Sequence, residues 1–254
     1  MGIAAVTGSA SGIGAAVRER LEKDGDRVIG VDVAEAEIRA DLSTPEGRRR
    51  AVDGVREAAG GTLDRLVLCA GLGNQVEDLA LIASVNYFGA VDVLDGLQGI
   101  MQGRPGAAAL AVCSNSAQFA PFDDHPYVVA LLDHDEPRAR DLIAKENGFL
   151  AYSGSKHALS RAVRRRAGPW GRAGIRLNGI APGATDTPML RGVMEHPVWG
   201  KGVEALDIPL GRRAQPDEIA SVIAFLLGPE AGYVHGAIVY ADGGNDAMVR
   251  PERF

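Results

Sequence analysis

The sequence predicts an α/β fold in which helices cover both faces of a parallel sheet of about seven strands. Short apolar runs without polar alternation recur along the chain, which is typical of strands that are buried on both faces. Helical patterns separate these runs, as expected for a parallel, doubly wound sheet. No repeat or linker-like stretch interrupts the 254 residues, so we expect a single domain over residues 1–254.

Three strand–helix pairs are predicted in the first half of the chain. The segment IAAVTG precedes a helical pattern over residues 13–23, and RVIGVD precedes a second one over residues 44–59. Thr44 suits the N-cap of that second helix, and Pro45 suits its first position because no N–H is needed there. RLVLCAG precedes a long apolar helical pattern over residues 83–101.

The second half continues the alternation with AAALAVCS, a helix over residues 150–167, GIRLNGIAPG, a helix over residues 215–227 and a final strand in GAIVYADGG. Residues 118–149 interrupt it as an insertion. RARDLIAKENG predicts a short helix there, with Asp135 as its cap. The Asp and His residues nearby match no metal-ligand spacing, so we expect a solvated acidic segment and no metal site.

Composition restricts the possible partners and location. The net charge is −6 and no basic stripe is present, so nucleic acid is not expected as a partner. Cys69 and Cys113 each follow an apolar run, which favours buried thiols in a reducing compartment over a disulfide. A glycine-rich loop begins at Thr7, so no signal peptide is expected, and no apolar stretch is judged long enough to span a membrane. These features predict a soluble cytoplasmic protein.

The loop TGSASGIG, residues 7–14, lies between the first strand and the first helix. Backbone N–H groups and the positive helix end in such a loop can bind a pyrophosphate. Gly8 would permit the turn, Gly12 close approach of the cofactor, and Gly14 packing of helix on strand. This arrangement predicts a Rossmann-type dinucleotide site.

Asp32 ends the next strand, 18 residues after Gly14. An acid at this distance accepts hydrogen bonds from the adenosine ribose hydroxyls. Its charge would repel a 2′-phosphate, and Ser9, Ala10 and Ser11 offer no basic side chain to bind one. NAD is therefore predicted in preference to NADP.

The sequence resembles the short-chain dehydrogenase/reductase family over nearly its whole length. The resemblance rests, in chain order, on residues 7–14, CAG at 69–71, Asn86 in VNYFGA, Ser114, Tyr152 with Lys156, and PGATDT at 182–187. LVLCAGLG, SVNYFGA, RLNGIAPGAT and YVHGA resemble its bacterial 3-alpha-hydroxysteroid dehydrogenase/carbonyl reductase subgroup. Cys69 replaces the usual Asn, and Cys113-Ser114-Asn115 replaces a usual Ser pair, so Ser116 is an alternative to Ser114.

Tyr152 and Lys156 are four residues apart and therefore share one face of a helix. An ammonium close to the phenol would stabilise the phenolate and lower a pKa that is ordinarily about 10. The alternative is a tyrosine packed in the core and a lysine in water, but the nearby NAD loop favours catalysis. Tyr152 would then be the general acid and base of a hydride-transfer reaction.

The resemblance implies further roles for these residues. Ser114 would hydrogen-bond the substrate oxygen, and Lys156 would also hold the nicotinamide ribose. Asn86 would anchor a water that relays protons, or else would only bind backbone in a bent helix. The cofactor contacts expected in this way are Thr7, Gly8, Ser11, Gly12, Ile13, Gly14, Asp32, Asp41, Leu42, Ala70, Gly71, Lys156, Pro182, Gly183, Thr185 and Thr187.

Residues 187–213 combine Met189, Leu190, Met194 and Trp199 with glycine and proline. This composition suits a mobile apolar lid over a lipophilic substrate, or else an ordinary surface loop with a small core of its own. The leading hypothesis is an NAD-dependent dehydrogenase/ketone reductase for a bulky apolar alicyclic alcohol, possibly a steroid. A sugar-alcohol or acyl-type dehydrogenase and a non-catalytic NAD-binding regulator are the alternatives.

The assembly expected from the resemblance depends on the insertion. Many relatives form tetramers through the Tyr/Lys helix and the Asn helix. Here Ser114 and Tyr152 are 38 residues apart, and the apolar clusters in the extra chain need a surface to cover. We expect them to cover that helix pair, so that the protein is a homodimer through the C-terminal strand and the helix over residues 215–227. The alternative is a second lid over the active site and a tetramer.

Overall fold

The computed structural model describes residues 2–253, and a seven-stranded, all-parallel sheet forms its centre. The spatial order is β3-β2-β1-β4-β5-β6-β7, which confirms the predicted fold class. The strands are β1 (Ile3–Thr7), β2 (Arg27–Asp32), β3 (Ile38–Arg39), β4 (Arg65–Leu68), β5 (Ala108–Val112), β6 (Arg176–Pro182) and β7 (Ile238–Ala241). Strand β3 is not predicted from the sequence, because two residues are too few to show a periodicity.

Helices cover both faces of the sheet. Their bounds are α1 (Gly12–Lys23), α2 (Pro45–Ala58), α3 (Leu79–Ala83), α4 (Ala90–Met101), α5 (Pro126–Leu132), α6 (Glu136–Ile143), α7 (Gly148–Arg172), α8 (Pro188–Glu195), α9 (Trp199–Glu204), α10 (Pro216–Leu227) and α11 (Asn245–Val249). The sheet's two faces contribute to separate apolar clusters, one with α1 and α10 and one with α2, α4 and α7. Successive strand residues such as Ala4 and Ala5 enter opposite clusters, which explains the continuous apolar runs.

A π-helical segment, Ser84–Gly89, joins α3 to α4. The run Leu79–Met101 is 23 residues long and contains an 18-residue window with a mean hydropathy of 1.3, so by length and composition alone it could cross a membrane. The expectation that no stretch meets this test is therefore wrong. Asp78 caps α3 by accepting from Leu81 N at 3.1 Å, so the helix begins before residue 83, where it was predicted to start. In the fold 61% of the tested window is buried, as in a core helix of a globular protein.

Side-chain caps fix several helix boundaries. Thr44 accepts a hydrogen bond from Gly47 N at 3.0 Å and Asp135 accepts one from Arg138 N at 3.1 Å, which confirms both predicted caps. Asn147 accepts from Leu150 N at 3.0 Å, so α7 begins before the predicted residue 150. Helix α5, whose N-cap is His125, is not among the predicted helices.

The segment between β5 and α7 folds onto the outer side of two helices. Helix α5 packs on α7, and α6 packs on α3. Tyr127 is fully buried and its hydroxyl donates to Ala151 O at 3.2 Å. Arg48, which is only 4% exposed, pairs with Glu136 at 2.6 Å and with Asp92 at 3.2 Å. These contacts fix residues 126–143 on the surface that the helix pair would otherwise expose.

Candidate active site

A cavity of about 660 Å³ opens at the carboxyl ends of the strands. Open α/β sheets bind ligands at this edge. Asp32 at the end of β2, Val112 at the end of β5 and Pro182 at the end of β6 all line it. All predicted site residues line this cavity except Thr7 and Asn86. The fold therefore brings together side chains that are up to 179 positions apart, from Gly8 to Thr187.

The glycine loop has the backbone that its sequence predicted. Gly8 has φ +68° and Gly12 has φ +54°, a region that favours glycine. A Cβ on Gly14 would collide with the carbonyl oxygen of Gly8, so this glycine lets the first turn of α1 pack on its own loop. Ser11 is the N-cap of α1, and Ile13 follows within the first turn. The loop is thus open to a ligand.

Thr7 supports the loop from behind instead of lining the cavity. Its buried side chain accepts a hydrogen bond from Ala70 N at 3.2 Å and so joins the loop to the end of β4. Ala70 and Gly71 line the cavity beside it.

The Asp32 carboxylate lies at the rim of the same loop. Its two oxygens accept from Ala10 N and from Ala34 N, each at 3.0 Å. Asp41 and Leu42 line the cavity nearby, and Asp41 accepts from Ser43 N at 2.9 Å. These backbone bonds hold the Asp32 carboxylate between the glycine loop and the chain that follows β2.

Lys156 is buried, and its Nζ donates to Val112 O at the end of β5 over 2.8 Å. A Cβ on Gly71 would lie 3.4 Å from this nitrogen, so glycine keeps the space around the ammonium open. Burial lowers the pKa of Lys156.

Tyr152 lines the cavity on the same helix. Burial raises the pKa of its phenol, and the nearby Ser114 hydroxyl opposes that rise. The expected lowering of the Tyr152 pKa by Lys156 is therefore wrong for the protein alone, because desolvation of the phenolate is the larger effect.

Ser114 and Ser116 occupy one tight turn after β5, and both line the cavity. The Ser114 Oγ accepts from Ser116 N at 3.2 Å and lies 3.0 Å from Ser116 Oγ. Ser153 donates to Ser116 Oγ at 3.0 Å. Ser116 is thus held by α7, whereas Ser114 is the serine whose hydroxyl influences the pKa of Tyr152.

Two side chains outside the predicted site, His157 and Asn115, hold this serine turn. His157 Nδ1 donates to Ala117 O at 2.9 Å, and its Nε2 lies 3.2 Å from the Asp123 carboxylate. Asn115 donates to Asn245 Oδ1 at 3.0 Å, and Asn245 donates to Asp207 O at 2.7 Å. No local motif marks either side chain, because their partners lie 34 or more positions away in the sequence.

Asn86 lies in the π-helical segment and is fully buried. Its side chain accepts from Leu72 N at 2.7 Å and donates to Leu72 O at 3.0 Å. It also donates to Ser155 Oγ at 3.2 Å. Of the two roles considered for Asn86, these contacts favour backbone binding, which fixes the loop after β4.

The segment after β6 closes the cavity with apolar side chains. Thr187 caps α8 by accepting from Leu190 N at 3.2 Å, and a Cβ on Gly12 would lie 3.3 Å from its methyl group. Thr185 donates to Gly183 O at 3.0 Å in the preceding turn. The apolar lining from α8, α9 and the chain after them comprises Met189, Leu190, Val193, Trp199, Val203 and Leu206, whereas Met194 does not line the cavity. Leu72, Phe119 and Phe149 line it from other segments.

Both cysteines are free thiols. Burial raises the pKa of Cys69 to about 12, and that of Cys113 rises for the same reason. Within residues 2–253 no cluster of three or more His, Cys, Asp or Glu side chains is arranged to hold a metal ion.

Comparisons with known proteins agree with this geometry. Residues 2–130 match the family model for short chain dehydrogenase, and residues 138–246 match that for enoyl-(acyl carrier protein) reductase. The chain is 46% identical over 257 residues to the 3-alpha-hydroxysteroid dehydrogenase/carbonyl reductase of Comamonas testosteroni, with 100% of both chains covered. It is 29% identical to the cis-4-hydroxycyclohexanecarboxylate dehydrogenase of Sinomonas cyclohexanicum, with 97% of each covered.

The fold is also similar to that of a solved dehydrogenase structure. The 3-alpha-hydroxysteroid dehydrogenase from Pseudomonas sp. B-0831 complexed with NADH superposes with a TM-score of 0.97 at 44% identity, over 99% of this chain and 100% of that one.

Proposed function

The chain belongs to the short-chain dehydrogenase/reductase family of oxidoreductases, and we propose that it interconverts a secondary alcohol and a ketone on a bulky apolar alicyclic compound, with NAD as cofactor. The observation that carries this proposal is one cavity that contains Ser114, Tyr152 and Lys156 beneath the apolar side chains of α8 and α9. A steroid is the first substrate to test.

The residues around the glycine loop suit NAD. Backbone N–H groups after Gly8 and Gly12 would bind the pyrophosphate, and the Asp32 carboxylate would accept from the adenosine ribose. Lys156 would hold the other ribose, with Pro182, Gly183, Thr185 and Thr187 beside the nicotinamide. NAD supplies the hydride acceptor and, when reduced, the hydride donor. The NADH complex of the Pseudomonas relative supports this assignment.

Tyr152 is proposed to move the proton. Its raised pKa keeps the phenol protonated near neutral pH, so that it can donate to a ketone oxygen during reduction. Oxidation requires the phenolate, which a positive charge close to the ring would stabilise. The buried Lys156 ammonium on the same helix face would provide such a charge.

Ser114 is proposed to donate a hydrogen bond to the substrate oxygen and to stabilise the charge that develops there. Its interaction with the phenol favours it over Ser116, which Ser153 already engages. Asn86 is proposed to act indirectly, by fixing Leu72 at the cavity wall.

An alicyclic substrate is inferred from the cavity wall and from the relatives. Leucine, methionine, phenylalanine and tryptophan side chains form much of the cavity wall. A polyol would leave its hydroxyls without partners on such a wall, which disfavours a sugar-alcohol substrate. The two curated relatives are a hydroxysteroid and a hydroxycyclohexane carboxylate dehydrogenase by name.

The test is NAD-linked turnover, followed by absorbance, with steroids, simple cyclic ketones, polyols and acyl substrates at equal concentration. Turnover of steroids or cyclic ketones is expected. Turnover of polyols or acyl substrates alone would contradict the substrate assignment. NADH binding without turnover of any of them would indicate a regulator.

We also propose a homodimer. Helices α5 and α6 occupy the outer side of α3 and α7, so this surface cannot receive a second subunit in the usual way. Phe225 on α10 and Met248 and Val249 on α11 leave apolar surface exposed, and β7 is an edge strand. Light scattering should give the mass of a dimer, and Phe225→Asp should weaken the association of the two subunits. A stable tetramer that uses residues 150–167 would contradict this proposal.

We also propose a cytoplasmic location, which the two free thiols support.

A further inference from the structure

A polar cluster lies beside the proposed adenosine ribose site, outside the cavity wall. It surrounds Gly30 in β2, where a Cβ would lie 2.5 Å from Ser9 Oγ, 2.7 Å from Glu37 Oε2 and 3.0 Å from Arg18 Nη1. Gly30 and Asp32 face the same side of the strand and are about 7 Å apart, since alternate strand residues share a face. The cluster is therefore next to the carboxylate that would select NAD.

Glu37 is the centre of this cluster. Its two oxygens accept from Arg18 Nη1 at 2.9 Å and Nη2 at 2.5 Å, and Oε2 also accepts from Gly30 N at 2.9 Å. Burial tends to raise the pKa of Glu37, but the Arg18 hydrogen bonds and the backbone outweigh it and lower the pKa. The pair is thus an ion pair at neutral pH, and Glu37 holds the arginine against the strand.

Arg18 is the cation of this cluster, and its Nη1 would lie 3.0 Å from a Cβ on Gly30, two residues before Asp32 in the same strand. Its guanidinium is partly exposed and lies on the same side of β2 as Asp32. The ionised Glu37 carboxylate accepts two hydrogen bonds from the Arg18 guanidinium. It therefore cancels most of the positive potential that Arg18 would produce at the ribose site. Without that neutralisation, the arginine would attract the doubly charged phosphate of NADP.

We infer that Glu37 is a second determinant of the preference for NAD over NADP, acting through Arg18 and not by contact with the cofactor. This inference rests on the proposed NAD function. Glu37 and Arg18 do not line the cavity, so the effect is one of electrostatic potential. For a unit charge about 8 Å from a doubly charged phosphate in a solvent-like dielectric, the interaction corresponds to about fivefold in affinity.

The test compares NADPH and NADH affinity, measured by cofactor fluorescence, in single and double variants. Glu37→Gln keeps an acceptor for Gly30 N and removes the charge, so we expect the Kd of NADPH to fall about fivefold while that of NADH stays the same. Adding Arg18→Met should abolish the gain. Glu22→Gln is the matched control, because Glu22 also pairs with Arg18, at 2.9 Å, but one helical turn further along α1, and its effect should be smaller.

Other outcomes would overturn the inference. An unchanged NADPH/NADH ratio in Glu37→Gln, in a protein whose ratio Asp32→Ala does change, would refute it while leaving NAD as the cofactor. Lack of NADH binding by the wild type would instead refute the proposed function.

Arg39 is a second cation near Asp32, so its contribution to NADPH binding must be tested separately. Arg39 pairs in register with Asp32, and its guanidinium donates to Val33 O at 3.5 Å. A gain that survives Arg18→Met and disappears with Arg39→Met would refute the role of Arg18. If Glu37→Gln does not fold, Arg18→Met alone decides. We expect it to weaken NADPH binding, because two acids then remain unpaired, and no change would refute the inference.

Discussion

Tyr127 packs on Gly154, in the part of α7 that lies between Tyr152 and Lys156. A Cβ at position 154 would be 3.1 Å from Tyr127 Cε1, and the Tyr127 hydroxyl donates to Ala151 O one turn earlier. The insertion therefore packs on the side of α7 opposite Tyr152 and Lys156, and glycine at position 154 leaves room for the Tyr127 ring.

Gly154→Leu should displace α5 and destabilise the protein by about 1–3 kcal/mol, because a buried side chain would overlap the Tyr127 ring. Urea unfolding measures this change. Tyr127→Phe is the control: it keeps the ring and loses one hydrogen bond, at a cost of about 1 kcal/mol. Wild-type stability of Gly154→Leu would show that α5 does not depend on this contact.

Tyr152→Phe should reduce turnover by about 100-fold or more while NADH still binds, because only the proton-transferring oxygen is removed. Steady-state rates and NADH fluorescence separate the two effects. Near-normal activity of this variant would contradict the proposal that Tyr152 transfers the proton.

Ser114→Ala should lower kcat strongly, by about 100-fold, since a donor to the developing oxyanion is lost. Ser116→Ala should have a much weaker effect, because Ser116 is bound by Ser153. The two kcat values, measured with the same ketone, decide between them. The opposite order would assign the role to Ser116.

Asp32→Ala should weaken NAD binding by about tenfold and narrow the difference from NADP, because a charged hydrogen-bond acceptor and a repulsive charge both disappear. The ratio of kcat/KM for the two cofactors is the measurement. Faster turnover of the wild type with NADPH at equal concentration would contradict the role given to Asp32.

His134 should give stability a dependence on pH. Its hydrogen bond to Asp92, with an Nε2–Oδ1 distance of 3.0 Å, raises the pKa of the imidazole above its usual value. The resulting stability is fully present below the unfolded-state pKa of about 6.5 and is lost as pH rises through the higher folded-state pKa. His134 is half-exposed, so the contribution is small.

In His134→Asn, which tolerates the φ of +59° at this position, the unfolding free energy should differ from wild type more at about pH 5.5 than at about pH 8.5. Urea unfolding at the two pH values is the measurement. An equal difference at both would exclude the ion pair as its cause.

The sheet was predictable because both of its faces are buried. In RVIGVD, the four residues between Arg27 and Asp32 are buried and carry no polar side chain, and this property is local to each strand. In contrast, β3 could not be predicted, because a strand of two residues leaves no pattern in the sequence. Helix α5 was missed because its apolar run YVVALL has no helical period and its N-cap, His125, is an uncommon one.

The site was predictable where its motifs are local. The glycine loop and the Tyr152–Lys156 spacing depend on neighbouring residues, and the structure has both in one cavity. The support of the serine turn was not predictable, since Asn115 and Asn245 are 130 positions apart. The direction of the Tyr152 pKa shift also depends on burial, which a helical spacing does not reveal.

The π-helical segment Ser84–Gly89 lets one helix serve two parts of the molecule. A residue in an α-helix turns about 100° from the previous one, so a wider turn changes the phase of the side chains that follow. Before the segment, α3 contacts α6 and α7; after it, α4 contacts mainly α2, and also α7 and β4. The change of phase occurs around Asn86, which also binds Leu72 at the cavity wall. In a uniform α-helix, the buried residues would all lie along one face. That face would then have to contact both the insertion helix α6 and the core helix α2.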